Sequence, residues 1–351
     1  IILRLGTPLL ALVYLLNPIS LIDGAWWGQV DSLGLFIFLL AEVFALKKMP
    51  LLAGVIYMAG VMTKLQNMIY GPVFFLFIWQ TLGYQGLVRA IAGSTLAFFG
   101  LNIEFFLSRN MDRVIASLTE NYDYFPLMSL NAYNLWWIVS GAKGMAMSDK
   151  FLAVGIMNAK TVGLVLFSSV YLFAALRQWM QKHSLQLFFE SLILVNGAFF
   201  LFQTQSHDRY AFPLIVFLLL WVPFFKKFKI FSLYYLLFTL FYFYNLHTAL
   251  IVNYPHNGLP FLSNLTQPFI TITASVVLLG LFGAFLVYLV RHTKSIVSVV
   301  AVAVSITILI LGNLPLLQKK PMPLTRLTPY ISEQGYGTRQ INMPVNSFLG
   351  F

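Results

Sequence analysis

The sequence predicts an all-α polytopic membrane protein, and three observations carry that prediction. Hydrophobic residues fill 59% of the 351 positions and charged residues only 9%, against roughly 45–50% and about 25% in soluble domains. The mean hydropathy is +0.81. Apolar runs also succeed one another at lengths near the ~20 residues that a helix needs to cross a ~30 Å hydrocarbon core. A water-soluble globular enzyme is therefore excluded. With no cysteine in the chain, so are disulfide scaffolds, zinc ribbons and cysteine nucleophiles.

The runs lie near 3–16, 32–46, 50–63, 68–82, 88–107, 160–177, 185–204, 210–225, 230–252, 266–290 and 295–313. They predict a bundle of about 9–11 transmembrane helices over residues 1–313. Runs 50–63 and 68–82 are short, as expected of broken or re-entrant helices that line an internal cavity. No repeat, heptad or low-complexity tract stands out, and no signal peptide is visible. The chain opens Ile1-Ile2-Leu3-Arg4 without a methionine, which reads as a processed chain or a fragment cut inside a hydrophobic segment.

The net charge of +11 comes from 22 Lys+Arg against 11 Asp+Glu, and sorting it by loop gives an orientation. With Arg4 cytoplasmic and every run crossing, the cytoplasmic loops hold Arg4, Lys47, Lys48, Arg89, Arg177, Lys182, Lys226, Lys227, Lys229, Arg291 and Lys294, with no acidic residue. The other basic residues face outward, mixed with Asp23, Asp31, Asp112, Glu120, Asp123, Asp149, Asp208 and Glu333. This is the positive-inside bias, and nothing in it calls for nucleic acid.

The same topology places four polar stretches on the outer side. They are Asp23-Gly24-Ala25-Trp26-Trp27-Gly28-Gln29-Val30-Asp31-Ser32, Thr63-Lys64-Leu65-Gln66-Asn67, Asn131-Ala132-Tyr133-Asn134-Leu135-Trp136-Trp137 within the long loop 108–159, and Gln203-Thr204-Gln205-Ser206-His207-Asp208-Arg209-Tyr210. Polar groups at membrane depth are costly and tend to line substrate paths, so four on one face predict a single external cavity. Each has a plainer reading. The tryptophans suit an interfacial belt, Asp31 suits a helix cap, and Lys64 suits snorkelling. Three adjacent ionisable groups, His207-Asp208-Arg209, are the hardest to explain without function.

Their chemistry suits an anion beside a carbohydrate. Arg209 offers a planar fork of donors matched to phosphate oxygens. His207 can donate a second hydrogen bond, and Asp208 can fix its ring or hold Arg209. Gln29, Gln66, Asn131 and Asn134 can bind sugar hydroxyls, and tryptophan faces suit the C–H side of a pyranose. A lipid-phosphate sugar donor needs all of these together with a greasy groove. Glycosyl transfer also needs a carboxylate as general base, for which Asp31 and Asp23 are the best-placed candidates.

At these residues the chain resembles the GT-C superfamily of membrane glycosyltransferases, in particular bacterial mannosyltransferases related to the PIG-V-type GPI mannosyltransferase. The resemblance rests on WGQVDSL at 27–33, TKLQ at 63–66, NAYNLW at 131–136 and HDRY at 207–210 in that order, and covers most of residues 5–225. It implies a GT-C-like bundle with an external active-site cavity. It further implies hexose transfer, with mannose foremost, from a polyprenyl-phosphate donor to a glycan, lipid or protein acceptor outside the bacterial plasma membrane. His207, Arg209 and Asp208 take the donor-phosphate role by their similarity to a His-Glu-Arg/Lys element. Trp27, Gln29, Lys64, Gln66, Asn131, Asn134, Trp136 and Tyr210 fall to the sugar or acceptor. Metal use stays open, since some relatives need a divalent ion and others do not.

Two expectations concern the ends. GT-C enzymes usually carry their catalytic acidic residue, the base, in the loop after the first helix, which here is expected upstream of Ile1; otherwise Asp31 serves. Residues 314–351 read as an external tail. Its stretch Tyr330–Asn342 is similar to the start of an NPCBM-type carbohydrate-binding β-sandwich, or is a disordered tail. The rival function is a transporter or flippase of lipid-linked saccharides, which should place charges along several helices. Mid-helix charges are few, chiefly Glu42, Glu104 and Glu190, which favours chemistry at one face. A non-enzymatic scaffold is the third reading.

Overall fold

The computed structural model describes residues 8–119, 125–154, 157–225, 227–293 and 295–317. Arg4, Glu120, Asp123, Lys226, Lys294, Glu333 and the tail from 318 onward, with its carbohydrate-module stretch, lie outside them. The described chain is predominantly helical with almost no strand, in line with the all-α expectation.

Helices α1 (Pro8–Leu15) and α2 (Pro18–Trp26) form a pair bent by 51°. Asn17 makes the bend: its side chain accepts the Ile19 N–H at 2.9 Å, capping a helix whose first position is Pro18, where a missing N–H costs nothing. The Asn17 amide also donates to the hydroxyls of Tyr235 and Thr239, at 3.0 and 3.3 Å. Residues Leu21–Trp26 are wound as a π-helix, a rare form that is frequent at functional sites.

Next come α3 (Asp31–Leu46), α4 (Pro50–Thr63) and α5 (Gly71–Leu101). Helix α5 is broken at Gly83, whose φ of 71° and ψ of −175° leave the helical region. Its second half crosses α4 almost backbone to backbone. A Cβ on Gly54 would lie 1.9 Å from the Ala90 carbonyl oxygen, and one on Gly93 would lie 2.0 Å from that of Leu51. Short helices α6 (Ile103–Leu107), α7 (Met111–Thr119) and α8 (Leu135–Val139) lead to one small antiparallel pair, β1 (Leu152–Val154) and β2 (Met157–Asn158), with Leu152 opposite Asn158.

The second half is built on α9 (Ala159–Met180), α10 (Leu185–Phe202), α11 (Leu214–Trp221), α12 (Phe228–Asn253), α13 (Pro260–Ser263), α14 (Pro268–Arg291) and α15 (Ser295–Leu317). Side-chain caps start two of them: Asn158 accepts the Thr161 N–H at 2.8 Å, and Ser184 that of Leu187 at 3.2 Å. Helix α10 is the centre of the core, with Phe188, Phe189, Leu192, Leu194 and Val195 fully buried. At one end of it a buried ion pair, Arg177–Glu190 at 2.7 Å, is completed by Trp221 and Gln186 donating to Glu190 at 2.9 Å each. Arg177 also donates to Thr293 at 2.9 Å, so this cluster joins α9, α10, α11 and the turn after α14.

Four described helices are long and apolar enough to cross a membrane, α9, α10, α12 and α14, and a fifth if the bent α1–α2 pair counts as one span. That is a membrane protein by length and composition, with fewer full spans than the 9–11 expected. Apolar composition reports burial in protein as well as in lipid. In α10 the most apolar window is 78% buried within the fold, against 28% in α9 and 33% in α14. Two of the other apolar runs fold into shorter helices: α4 has 14 residues, about 21 Å of helix, and the run 210–225 holds an α-helix of 8 residues.

Candidate functional site

Residues from all four polar stretches meet at one junction. The first arrives through the π-turn of α2, which leaves Asp23 with no solvent exposure. Gly28, at φ +72°, is in the left-handed region that glycine adopts without strain, and it turns the chain so that Gln29 N–H bonds back to the Asp23 carbonyl at 2.9 Å. Asp31 then opens α3, where the helix dipole favours a carboxylate. Val30 holds the cap position without a side-chain bond, so Asp31 is not the cap that its position in sequence allowed.

Asp31 is instead ion-paired to Lys64. Lys64 ends α4 in an extended conformation, and the two side chains are only 17% and 2% exposed. The lysine is thus turned into the protein and does not snorkel outward. Gly34 makes room for it, since a Cβ there would meet the Lys64 Cβ at 3.2 Å. Asn67 clamps the same corner, donating to the carbonyls of Gly34 at 3.1 Å and Gly60 at 2.9 Å.

The His207–Tyr210 stretch sits opposite, in an extended residue followed by a 3₁₀ turn over Asp208–Ala211. Backbone bonds tie it to Leu130, the residue just before the third stretch, Leu130 N–H to Ser206 O at 3.0 Å and Asp208 N–H to Leu130 O at 3.2 Å, and Asn131 pairs with His207 in an isolated bridge. The Tyr210 carbonyl accepts from Gln66 at 2.8 Å and from Asn196 at 3.0 Å, and Asn196 also donates to the Tyr70 hydroxyl at 2.9 Å. Arg209 donates from Nη1 to Gln29 at 2.5 Å, and its guanidinium carbon lies 6.0 Å from the centre of the Trp27 ring, within cation–π range.

Electrostatics follow from this crowding. Burial, with help from Arg209 and Lys64, lowers the His207 imidazole to about 3, so it is neutral at physiological pH and keeps one N–H to donate. Burial raises the Asp208 carboxyl to about 6 against the pull of Arg209 and Lys64. Burial also lowers the Lys64 ammonium, as does Arg209, while Asp23 and Asp208 oppose them. Asp23 is within electrostatic reach of Lys64, Arg209 and Asp208. Among the described residues, neither of its oxygens has a hydrogen-bond partner.

Placement differs among the expected residues. Asp23, Gln29, Asp31, Lys64, Gln66, His207, Asp208, Arg209 and Tyr210 converge, and Trp27 flanks them. Among the described residues Asp208 bonds to neither His207 nor Arg209; Gln29 holds the guanidinium instead. Asn134 is committed to the scaffold: it caps α8 by accepting from Trp136 and Trp137 N–H at 3.0 Å each, and donates to Phe200 and Gln203 carbonyls. Trp136 is 1% exposed and donates to Phe202 O at 2.7 Å. Asn131, at φ +58°, is held by its backbone, its carbonyl accepting from Asn245 at 2.6 Å. Asn196, Tyr70 and Asn245 went unnoticed in the sequence. The signal available was an asparagine in the middle of an apolar helix, which is costly unless it has partners.

No group of three or more His, Asp or Glu among the described residues is arranged to hold a metal ion. No protein-family model matches the chain, and no curated protein or solved structure matches it either.

Proposed function

We propose that the chain is a GT-C-type membrane glycosyltransferase. It transfers a hexose, mannose being the first candidate, from a polyprenyl-phosphate donor to a glycan, lipid or protein acceptor on the external face of a bacterial plasma membrane. One observation carries this reading most: among the described residues the Arg209 side chain is held by one hydrogen bond, to Gln29, which leaves donors for an anion, beside the His207 imidazole and the buried carboxyls of Asp23 and Asp208. Charge-assisted bonds from Arg209 suit the phosphate that departs as an anion. The N–H of neutral His207 can add a further bond to it.

In transfer, the acceptor hydroxyl attacks the anomeric carbon. The C–O bond to phosphate breaks as the new glycosidic bond forms, and a carboxylate takes the hydroxyl proton. Of the two candidates Asp31 is engaged with Lys64, whereas both Asp23 oxygens lack a hydrogen-bond partner among the described residues, so Asp23 is the stronger base candidate in this junction. The flippase alternative draws less support. Glu190 is paired with Arg177, and Glu104 lies in a five-residue helix, which leaves Glu42 as the mid-helix acid whose buried oxygens have no partner among the described residues.

The test is transfer from a radiolabelled mannosyl phosphopolyprenol by the protein in proteoliposomes. Arg209→Ala and His207→Ala should abolish product while the protein still inserts and stays monodisperse. Undiminished product from both variants sinks the phosphate assignment. Movement of the labelled lipid between leaflets without any product establishes the flippase.

A further inference from the structure

The end of α12 away from Lys227 and Lys229 carries a histidine that the polar junction does not use. His247 has no solvent exposure, and its Nε2 accepts the Leu259 N–H at 2.7 Å. A backbone N–H donates and never accepts, so Nε2 is unprotonated and the ring proton sits on Nδ1. Nδ1 is buried and has no hydrogen-bond partner among the described residues.

Leu259 is a fixed point of the segment that follows α12. That segment passes through a 3₁₀ turn at Pro255–Asn257 and enters α13. The Leu259 carbonyl accepts the N–H groups of Leu262 and Ser263 and the Ser263 hydroxyl, at 3.0 Å each, while its N–H goes to His247. The chain runs close over the helix here: a Cβ on Gly258 would lie 2.3 Å from Ile251 Cγ2 and 3.3 Å from His247 Nε2. Further on, the Leu265 carbonyl accepts from the Tyr244 hydroxyl. Residues 254–265 are thus fastened at two points to one turn of α12. In the same turn Asn245 accepts the Tyr133 N–H at 3.0 Å and donates to the Asn131 carbonyl at 2.6 Å.

Protonation of His247 and closure of this segment exclude each other. An imidazolium donates from both nitrogens, so Nε2–H would point at the Leu259 N–H. A charge buried without an acceptor is costly, and exposure of the ring to water removes that cost. The segment and α14 bring no counter-ion, since the sequence from Tyr254 to Val290 holds no Asp, Glu, Lys or Arg. The titratable groups around this turn are Tyr133 and Tyr244, with ring centres 5.7 Å apart, Tyr254, and the exposed His256. Asp23, Asp208 and Arg209 act on Tyr242, five residues before His247 on α12.

We propose that residues 254–265 form an acid-released strap, which His247 holds down through Leu259 while its ring is neutral and lets go when the ring takes up a proton. The sign follows from the bond. The closed strap takes the neutral ring, so closure is fully favoured above the free imidazole value of about 6.5 and is lost progressively below it. With the freed ring titrating at that value, the open fraction grows roughly tenfold for each pH unit below it.

The experiment is amide hydrogen exchange on the whole chain in phospholipid nanodiscs between about pH 4.5 and 8, corrected for intrinsic exchange rates. Protection of the Leu259 amide should be flat above about pH 6.5 and fall roughly tenfold per unit below it. The amides of Leu246–Leu250, inside α12, should stay protected throughout. His247→Gln keeps a side-chain acceptor that does not titrate, so the pH slope at Leu259 should vanish whatever level of protection remains. Leu259 protection in the unaltered protein that does not change across this range overturns the proposal. A slope that persists in His247→Gln overturns it as well. So does loss of protection at Leu246–Leu250 in step with Leu259, which makes the event general unfolding in acid.

Discussion

Gln29 accepts a hydrogen bond from the Arg209 guanidinium at 2.5 Å across 180 residues of sequence. Gln29 lies between α2 and α3, Arg209 between α10 and α11, and this bond is the direct side-chain link between the two acidic and basic arms of the junction. A bond to a charged group contributes about 1.5–3 kcal/mol. Gln29→Ala is therefore expected to weaken binding of a polyprenyl phosphate roughly tenfold or more while insertion is unaffected, as measured by titration in nanodiscs.

Two groups of the junction give opposite pH dependences. His207 is lowered from 6.5 to about 3, so on acidification the unfolded chain takes up a proton that the native state refuses. Its stability contribution is present above pH 6.5 and is lost as pH falls toward 3. Asp208 is raised from 3.8 to about 6. The native state there prefers the proton, so its contribution is present below 3.8 and is lost as pH rises through 6. Thermal midpoints measured from pH 4 to 8 should gain most at the alkaline end in Asp208→Asn and at the acid end in His207→Gln.

The two asparagines of the third stretch should behave differently. Asn134→Ala removes a cap and two carbonyl partners, and is expected to destabilise by about 1–2 kcal/mol with a lowered midpoint. Asn131→Gly keeps the left-handed backbone, where glycine is unstrained, and deletes only the amide. If that amide binds sugar, transfer falls with no change in midpoint. A lowered midpoint for Asn131→Gly instead makes the residue part of the scaffold.

Asn196→Leu tests the support beneath Tyr210. It removes one of the two donors to the Tyr210 carbonyl without altering any charge. The expected outcome is a fall in transfer rate with the pH profile preserved, since the fork of Arg209 is displaced but not discharged. A shifted pH profile counts against a positioning role.

Glu190→Gln leaves Arg177 buried without its anion, which costs about 3–5 kcal/mol where a buried pair is broken. The double variant Arg177→Met with Glu190→Leu should recover part of that loss. Both outcomes are read from the thermal midpoint and monodispersity of the purified protein.

Much of the helix pattern was legible. The apolar runs 185–204 and 230–252 became Leu185–Phe202 and Phe228–Asn253, because Ser184 caps the first and the chain polarity changes at both ends. Hydropathy was blind to which runs cross, since α10 is apolar for packing within the protein. It also missed the break at Gly83, one glycine among 23 and unremarkable by its neighbours. In the junction, residue types announced themselves and pairings did not. Lys64 met Asp31 across 33 positions and Arg209 met Gln29 across 180, distances over which no local pattern reports. Asn134 shows the converse: a polar side chain near the right place was a cap, a role visible only once α8 was seen to begin after it.

The span of that Gln29–Arg209 bond has a bearing on how the chain is made. Asp23 and Lys64 are made 186 and 145 residues before Arg209, which at 5–20 residues per second is a delay of about 7 to 37 s. The walls around Asp23 close later still, because Asn17 waits for Tyr235 and Thr239. During that interval the early helices hold an ionisable residue without its later neighbours. The acid and the lysine must be tolerated by lipid, water or the insertion machinery until the far half of the protein arrives.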